Sequence, residues 1–301
     1  MQENNKIEFC CKWAESLGSL ENTHQEVWGT KDYVYDEDKE RPTVFMGLYD
    51  LRDYIALMRH KGTKYILWCG SDIVNLTNGF VFNDGKLKWL SKIFKGMPRL
   101  LYFLREGIEH YVENQKEQEM LKELGIDSHV VPSFLGKFED FPVCYKQADR
   151  PNVFVSGHSN RQNEYGFDFI ERITGITPKV NFHLYGADWD TDKKNIICHG
   201  RVSKEQFNQE IREYQAGLRM NEYDGFSEIT AKSLLMGQYP ITKLKYEMIP
   251  NYETEDELVA LLNSLSGMNE PNTATREFYI IKFNNYPWNV KYGFNNNSLQ
   301  K

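Results

Sequence analysis

Short apolar runs that alternate with helical patterns are the feature that most constrains the fold of this chain. The predicted strands of a first series span residues 43–46, 64–69, 99–104 and 128–131. Those of a second series span residues 152–155, 180–185, 195–198, 216–220 and 239–244. Helical patterns, such as those at 50–60 and 111–124, lie between the strands. Alternation of this kind needs crossover connections, so the chain is predicted to be an α/β protein with parallel sheets.

One proline- and glycine-rich stretch, at residues 132–151, interrupts the alternation and is typical of a linker. The predicted organisation is a first domain at 1–137, a linker at 138–150, a second domain at 151–275 and a helical, aromatic segment at 276–301. In parallel sheets, ligands bind beyond the carboxyl ends of the strands. Glycines follow predicted strands at positions 70, 157, 186 and 200, as that rule requires.

The charge and cysteine content narrow the class of protein. A net charge of −7 argues against nucleic acid as a general partner, because phosphate binding needs a basic face. The five cysteines are scattered without a paired motif, which favours a reduced, cytoplasmic chain over a disulfide framework. Residues 1–6 contain no apolar signal core, and no run of about 18 apolar residues predicts a membrane-spanning helix.

The stretch at 221–242 contains the residue pattern that points most directly to a ligand-binding site. Asp224 and Gly225 precede a predicted helix, and Phe226 and Ser227 complete the turn that opens it. Backbone N–H groups at the start of a helix stabilise anions such as a diphosphate. The Asp224 carboxylate is placed to accept hydrogen bonds from sugar hydroxyls. This combination predicts a site for an anionic group and a sugar.

Three segments together resemble the nucleotide-sugar domain of GT-B glycosyltransferases, and family 4 most of all. They are residues 153–166, with Gly157 and Arg161, residues 195–203, with Gly200 and Arg201, and residues 221–242. The resemblance implies two Rossmann-like domains whose parallel sheets face each other across a cleft, and a last helix that crosses back to the first domain. It also implies a retaining, metal-independent transfer of sugar from a nucleotide donor, with UDP- or GDP-sugars favoured and no cofactor.

The resemblance assigns roles to individual residues. Those expected to bind the donor are Gly157, His158, Tyr165, Arg201, Val202, Glu222, Gly225, Phe226 and Ser227. Those expected to take part in catalysis are Asp224, Arg161 and Lys232. Those expected on the acceptor side are Gly70, Ser71 and Asp72. The expected acceptor is a glycan or a lipid-linked molecule, in surface polysaccharide or glycolipid synthesis.

The chain departs from the family pattern at three of these positions. Asp224 is shorter than the family's first glutamate, Tyr165 stands where the family has lysine, and Lys232 stands where the family has the glutamate that binds ribose. Either Lys232 supplies the positive charge that Tyr165 lacks, or it pairs with Glu228 four residues earlier on a helix. These departures keep two alternatives open: a catalytically silent GT-B subunit that binds sugar or a partner, and a sugar-nucleotide epimerase of the same fold.

Two other signals compete with this interpretation. The Asp188-Trp189-Asp190 triplet resembles the metal-binding motif of another glycosyltransferase class, although such triplets are common in polar loops. The most basic stretch, at 85–105, carries Lys86, Lys88, Lys92, Lys95, Arg99 and Arg105. It predicts either peripheral contact with an anionic membrane surface at its inner face or an ordinary domain helix with solvated lysines.

Overall fold

The computed structural model describes residues 8–15, 17, 23–77 and 98–292, and these form two compact units. Unit 1 contains the described residues up to Gly136, together with Tyr223–Gly225 and the residues from Ile281 onward. Unit 2 contains Lys137–Glu222 and Phe226–Ile280. Neither unit is therefore one continuous stretch of chain.

Unit 1 is built on a six-stranded, wholly parallel sheet with the order β2-β1-β3-β4-β5-β6. Its strands are β1 (Cys10–Trp13), β2 (Lys31–Asp32), β3 (Thr43–Met46), β4 (Lys64–Leu67), β5 (Ile108–Val112) and β6 (His129–Val130). Its helices are α1 (Thr23–Trp28), α2 (Tyr35–Asp38), α3 (Leu51–Arg59), α4 (Ser71–Thr77), α5 (Pro98–Arg105), α6 (Gln115–Glu123) and, at the end of the described chain, α12 (Pro287–Tyr292).

An aromatic cluster fills one face of the unit 1 sheet. Trp288 and Tyr286 stack on each other with ring centroids 5.3 Å apart, and both contact Trp28 edge-on. Tyr65 and Tyr111, from the central strands, pack against the same Trp288 ring. Aromatic rings bury large apolar areas, so α12 is an integral part of the hydrophobic core of unit 1.

Unit 2 is built on a five-stranded parallel sheet with the order β11-β10-β7-β8-β9. Its strands are β7 (Asn152–Ser156), β8 (Asn181–Tyr185), β9 (Ile196–Gly200), β10 (Ala216–Arg219) and β11 (Ile241–Thr242). Its helices are α7 (Phe167–Ile173), α8 (Lys204–Glu210), α9 (Glu228–Leu235) and α10 (Glu255–Ser264), with α11 (Thr273–Asn284) continuing from unit 2 into unit 1.

The segment predicted as a linker packs onto unit 2. Phe141 and Tyr145 are both buried. The Cys144 N–H donates to the Met236 carbonyl at 3.1 Å, and the Tyr145 hydroxyl donates to the Met268 carbonyl at 2.6 Å. Backbone and aromatic contacts therefore order this proline-containing stretch.

Local side-chain signals fix the starts of four helices. Asp50 and Thr254 form capping boxes at α3 and α10, and Ser203 and Ser227 accept hydrogen bonds from backbone N–H groups of α8 and α9. Each of these side chains satisfies donors that a helix start would otherwise leave unpaired.

The strand predicted at 99–104 is wrong, because the chain there forms helix α5. A proline at the first helical position suits a helix start, and the buried Leu100 and Leu104 lie one turn apart on the same face. The next strand is instead β5, whose last two residues fell inside the helix predicted at 111–124. Residues 85–97 of the basic stretch predicted at 85–105 lie outside the described residues, so its proposed membrane contact stays a prediction. Across the ranges that are described, no helix is both long and apolar enough to cross a membrane.

Candidate functional site

Three glycine turns lie side by side at the carboxyl edge of the unit 2 sheet. The Gly157 N–H donates to the Tyr185 carbonyl at 2.9 Å, and the Gly186 N–H donates to the Gly200 carbonyl at 2.7 Å. Gly186 has a φ of +83°, and a Cβ atom there would overlap the Gly157 carbonyl oxygen. Only glycine permits this approach, so the edge predicted from the sequence is present and is closely packed.

The loop after β7 carries Arg161 at the protein surface. The Arg161 Nε donates to the Glu164 carboxylate at 2.8 Å, and the Arg161 backbone N–H donates to the His158 carbonyl at 2.9 Å. The hydrogen bond and charge of Arg161 lower the pKa of Glu164. Tyr165 is half-buried, with the Arg219 guanidinium 4.7 Å above its ring centroid. Two arginines and an exposed His158 therefore lie along this loop.

A histidine and tyrosine network, which the sequence did not reveal, underlies the turn that carries Arg201 and Val202. His183 and His199 are hydrogen-bonded at 2.9 Å, and the Tyr214 hydroxyl lies 3.0 Å from His183 Nδ1. Tyr185 donates to Glu210 at 2.7 Å, which ties β8 to α8. Burial, followed by the neighbouring His199, lowers the pKa of His183 to about 4. His183 is therefore neutral at physiological pH, and its hydrogen bonds connect β8 to His199 on β9 and to Tyr214.

The turn into α9 is anchored by an aromatic residue and a serine cap. Phe226 is buried and packs between Tyr246 and Tyr279, with centroid distances of 4.9 and 5.1 Å. The Ser227 Oγ accepts a hydrogen bond from the Thr230 N–H at 3.2 Å. This anchoring fixes the start of α9, the helix whose amino end was predicted to face the diphosphate.

Lys232 is buried inside α9, although lysine side chains are usually exposed. Its Nζ lies 2.7 Å from Glu228, and the rings of Phe207 and Phe141 lie 5.4 and 5.8 Å from the ammonium. Burial opposes ionisation of Glu228, but the charge and hydrogen bond of Lys232 outweigh it and lower the pKa of Glu228. The i, i+4 pair that the spacing allowed is thus formed, and the Lys232 ammonium is directed at Glu228.

In unit 1, residues Tyr223–Gly225, here called the strap, lie against the turn that follows β4. Gly70 has a φ of +88°, and a Cβ there would lie 2.8 Å from the Gly225 nitrogen. The Asn114 Nδ2 donates to the Asp224 carbonyl at 2.8 Å. The structure therefore brings the predicted sugar-binding Asp224 next to Gly70, which was predicted on the acceptor side. No sequence pattern connected Asn114 to either of them.

Asp72 supports this turn from within, while Ser71 beside it is exposed. The Asp72 carboxylate is fully buried and accepts hydrogen bonds from the backbone N–H groups of Leu48, Cys69 and Ile73 at 2.9–3.1 Å. Burial raises the pKa of Asp72 to about 6, against the opposing effect of these hydrogen bonds. Its carboxylate is thus used to shape the Gly70 turn, and Ser71 is the member of this set that faces solvent.

A cavity of about 310 Å³ opens in unit 2 beyond the carboxyl ends of β10 and β11. Phe169 and Tyr252 give it aromatic walls. The Lys243 Nζ, on its rim, donates to the Glu253 carbonyl at 3.1 Å. Its full lining is Asn163, Glu164, Gly166, Phe169, Met220, Glu222, Lys243, Tyr252, Glu253, Thr254 and Glu255. Glu222 is the predicted donor-binding residue that the cavity includes, and the lining carries more carboxylates than cations.

The acidic triplet after β8 is exposed. Asp188 and Asp190 both face solvent, and Trp189 packs edge-on against Phe167. In the described part of the chain, no three histidine, cysteine, aspartate or glutamate side chains are grouped so as to hold a metal ion.

Several solved structures share this fold. WaaB, a lipopolysaccharide outer core galactosyltransferase in its apo form, matches with a TM-score of 0.51 and 15% identity over 97% of this chain and 98% of its own. A TarM variant from S. aureus, in complex with fondaparinux, alpha-GlcNAc-glycerol and UDP, matches with a TM-score of 0.54 and 13% identity over 86% of this chain and 56% of its own. Sucrose-phosphate synthase from Thermosynechococcus elongatus matches with a TM-score of 0.57 and 9% identity over 84% of this chain and 71% of its own.

These structural neighbours are GT-B glycosyltransferases, so this chain has the GT-B fold, with a parallel-sheet α/β domain in each unit. The chain spans about half the length of TarM, 53% in the uncomplexed structure. No protein-family model matches the chain, and no curated protein matches it by sequence.

Proposed function

We propose that this chain is a glycosyltransferase that moves a sugar from a nucleotide-sugar donor to an acceptor hydroxyl. The observation that carries the proposal is the glycine-lined carboxyl edge of unit 2, where Gly157, Gly186 and Gly200 pack together. Such an edge lets a phosphate-bearing ligand approach the backbone closely. The GT-B fold and the fixed α9 turn support the same assignment.

In the proposed reaction, the bond between the sugar and the diphosphate breaks as the acceptor oxygen bonds to the same sugar carbon. Negative charge develops on the leaving diphosphate, where the amino end of α9 and the Arg161 guanidinium would stabilise it. Asp224 would accept hydrogen bonds from the sugar hydroxyls. The acceptor oxygen would attack on the face that the phosphate vacates, which corresponds to retention. The acceptor proton would pass to the leaving phosphate. No residue is assigned as a covalent nucleophile, and no metal or cofactor is assigned to the step.

The acceptor would approach from the Gly70 and Ser71 turn, because the strap places Asp224 beside that turn. TarM was crystallised with UDP and a GlcNAc-glycerol compound, which supports a nucleotide sugar and a glycan or lipid-linked molecule as the two substrates proposed here. UDP- and GDP-sugars are the favoured donors.

Donor binding tests the proposal directly. UDP-, GDP- and ADP-sugars would be titrated in a thermal-shift assay, and at least one is expected to raise the unfolding temperature. Arg161→Ala is expected to lower the affinity for that donor about tenfold. Arg172→Ala is the matched control, because both arginines are about equally exposed and each pairs with a nearby carboxylate. Absence of stabilisation by every nucleotide sugar would contradict the proposal.

The ion pair of Lys232 favours one second candidate, a catalytically silent GT-B subunit. The ammonium at the position where the family binds ribose is buried against Glu228, which changes the chemistry expected there. Donor hydrolysis distinguishes the candidates. Slow hydrolysis that Arg161→Ala abolishes would exclude the silent subunit, whereas donor binding without hydrolysis or transfer would support it.

A further inference from the structure

We propose that Asn114 is a positioning residue that sets the orientation of Asp224 through the backbone of the strap. This proposal rests on the function proposed above, because that function gives Asp224 its role in binding the donor sugar. The hold of Asn114 on the strap is a separate claim that can be measured without any substrate.

The Asn114 side chain makes two hydrogen bonds with opposite polarity. Its Oδ1 accepts from the Glu117 N–H at 3.0 Å, which caps α6, and its Nδ2 donates to the Asp224 carbonyl at 2.8 Å. The residue is only 2% exposed, so water does not compete for either bond. The helix cap therefore fixes the amide plane, and the amide plane fixes the position of the Asp224 carbonyl.

Other groups hold the rest of the strap. The Lys116 ammonium lies 3.9 Å from the centroid of the Tyr223 ring. Gly225 is enclosed on both sides, because a Cβ added to it would overlap Glu113 Oε2 and a Cβ added to Gly70 would approach its nitrogen to 2.8 Å. Three consecutive residues are thus each contacted by a different group, and Asn114 supplies a directional hydrogen bond to the middle one.

The strap has no regular secondary structure to orient it. Its backbone direction, and with it the direction of the Asp224 side chain, depends on these contacts. The corner between β5 and α6 therefore determines where a sugar hydroxyl meets the Asp224 carboxylate. A small displacement of a substrate-contacting group lowers the rate of the chemical step more than the affinity for distant parts of the substrate.

Asn114→Asp keeps the hydrogen bond that the side chain accepts from the Glu117 N–H and removes the one that it donates to the Asp224 carbonyl. Aspartate caps a helix as well as asparagine does, but it has no N–H to donate and its charge repels the Asp224 carbonyl. We expect the unfolding temperature to fall by about 3–10 °C, because the cap is retained but one buried hydrogen bond is lost and a charge is buried beside the Asp224 carbonyl. The transfer kcat should fall about three- to tenfold, the effect of one lost hydrogen bond, while the affinity for the free nucleoside diphosphate stays the same. Hydrogen exchange of peptides spanning 221–226 should become faster.

Two further variants make the result decisive. Asn263→Asp adds the same charge to an exposed position on α10 and should change none of these quantities. Combining Asn114→Asp with Asp224→Asn should lower kcat no further than Asp224→Asn does alone, because Asn114 acts through Asp224. Additive losses in the double variant, or a native rate in a stable Asn114→Asp protein, would overturn the positioning role.

The two proposals fail in different ways. If the native protein binds no nucleotide sugar, the proposed function fails, and hydrogen exchange of the strap still decides whether Asn114 holds it. If transfer is found but exchange at 221–226 is the same in the native protein and in Asn114→Asp, the function stands and the positioning role is refuted.

Discussion

The ion pair of Lys232 and Glu228 in α9 predicts that removing one member lowers the stability of the protein much more than removing the other. Glu228→Gln leaves the Lys232 ammonium, which is 5% exposed, without its carboxylate. Lys232→Met removes the buried charge, keeps a chain of similar length between Phe141 and Phe207, and leaves Glu228 for water to solvate. The first change is expected to destabilise the protein and the second to be close to neutral.

The magnitude follows from burial. Breaking a fully buried pair from one side costs about 3–5 kcal/mol, because a charge is left without a partner. Glu228 is 46% exposed, so solvent screens part of the interaction and we expect about 1–2 kcal/mol for Glu228→Gln. Lys232→Met should change the free energy of unfolding by less than about 1 kcal/mol. The double variant should resemble Lys232→Met, since the two residues act as a pair.

Urea unfolding measures these differences. With an m-value of about 2 kcal/mol/M, Glu228→Gln should lower the midpoint by roughly 0.5–1 M, and the exposed Glu277→Gln on α11 is the matched control. The charge and hydrogen bond of Lys232 lower the pKa of Glu228 in the folded protein, so the pair stabilises the protein at neutral pH. That contribution is lost as the pH falls through the lowered pKa of the folded protein, so the difference between native and Glu228→Gln protein should shrink at acidic pH.

A larger loss of stability for Lys232→Met than for Glu228→Gln at pH 7, or an unchanged midpoint in both variants, would show that the buried ammonium does not depend on Glu228. The same Lys232→Met protein also tests the charge-compensation alternative. A fall in donor affinity of about tenfold is expected if the ammonium stabilises the diphosphate, and its absence would assign Lys232 to the ion pair alone.

Three further predictions concern unit 2. Gly186→Ala should cost at least about 2 kcal/mol and abolish donor stabilisation, because of its φ of +83° and its overlap with Gly157, whereas Gly175→Ala, in open space, should not. His183→Gln should flatten the rise of stability with pH between about 4 and 6.5, measured by thermal unfolding, because the lowered pKa of His183 makes the unfolded state bind more protons in that range. A donor with a neutral hexose should bind about tenfold tighter than its hexuronate counterpart, because the cavity lined by Glu222 is acidic. Calorimetry measures both affinities, and Glu222→Lys should reduce the difference between them. Equal affinities in the native protein would contradict this expectation.

Features determined by neighbouring residues were predictable from the sequence. The glycine turns at 157, 186 and 200, the Ser203 cap and the spacing of Lys232 from Glu228 each depend on a few adjacent positions. The helix at Pro98–Arg105 was predicted as a strand because a short apolar run fits either structure, and its helical spacing becomes decisive only once the buried face is known.

Features that depend on distant contacts were not predictable. Asn114 and Asp224 are 110 residues apart, and Asn114 alone indicates only a helix cap. The network of His183 and His199 forms where the pairing of β8 and β9 shifts register, between Leu184 and Tyr185, which a single sequence does not specify. The position of each turn could thus be predicted, while the groups that orient those turns could not.

The aromatic core of unit 1 affects the order in which the two units can finish folding during synthesis. Trp288 and Tyr286 are fully buried against rings from β4, β5 and α1, yet they come near the end of the described chain. During synthesis the ribosome therefore makes the sheet of unit 1 first, but that sheet keeps an uncovered aromatic face until these two residues have emerged. Unit 2, whose strands all lie between Asn152 and Thr242, has its complete sheet earlier. The half of the protein that is translated first is the half that finishes folding last, and its exposed aromatic face is where a chaperone would be expected to bind the nascent chain.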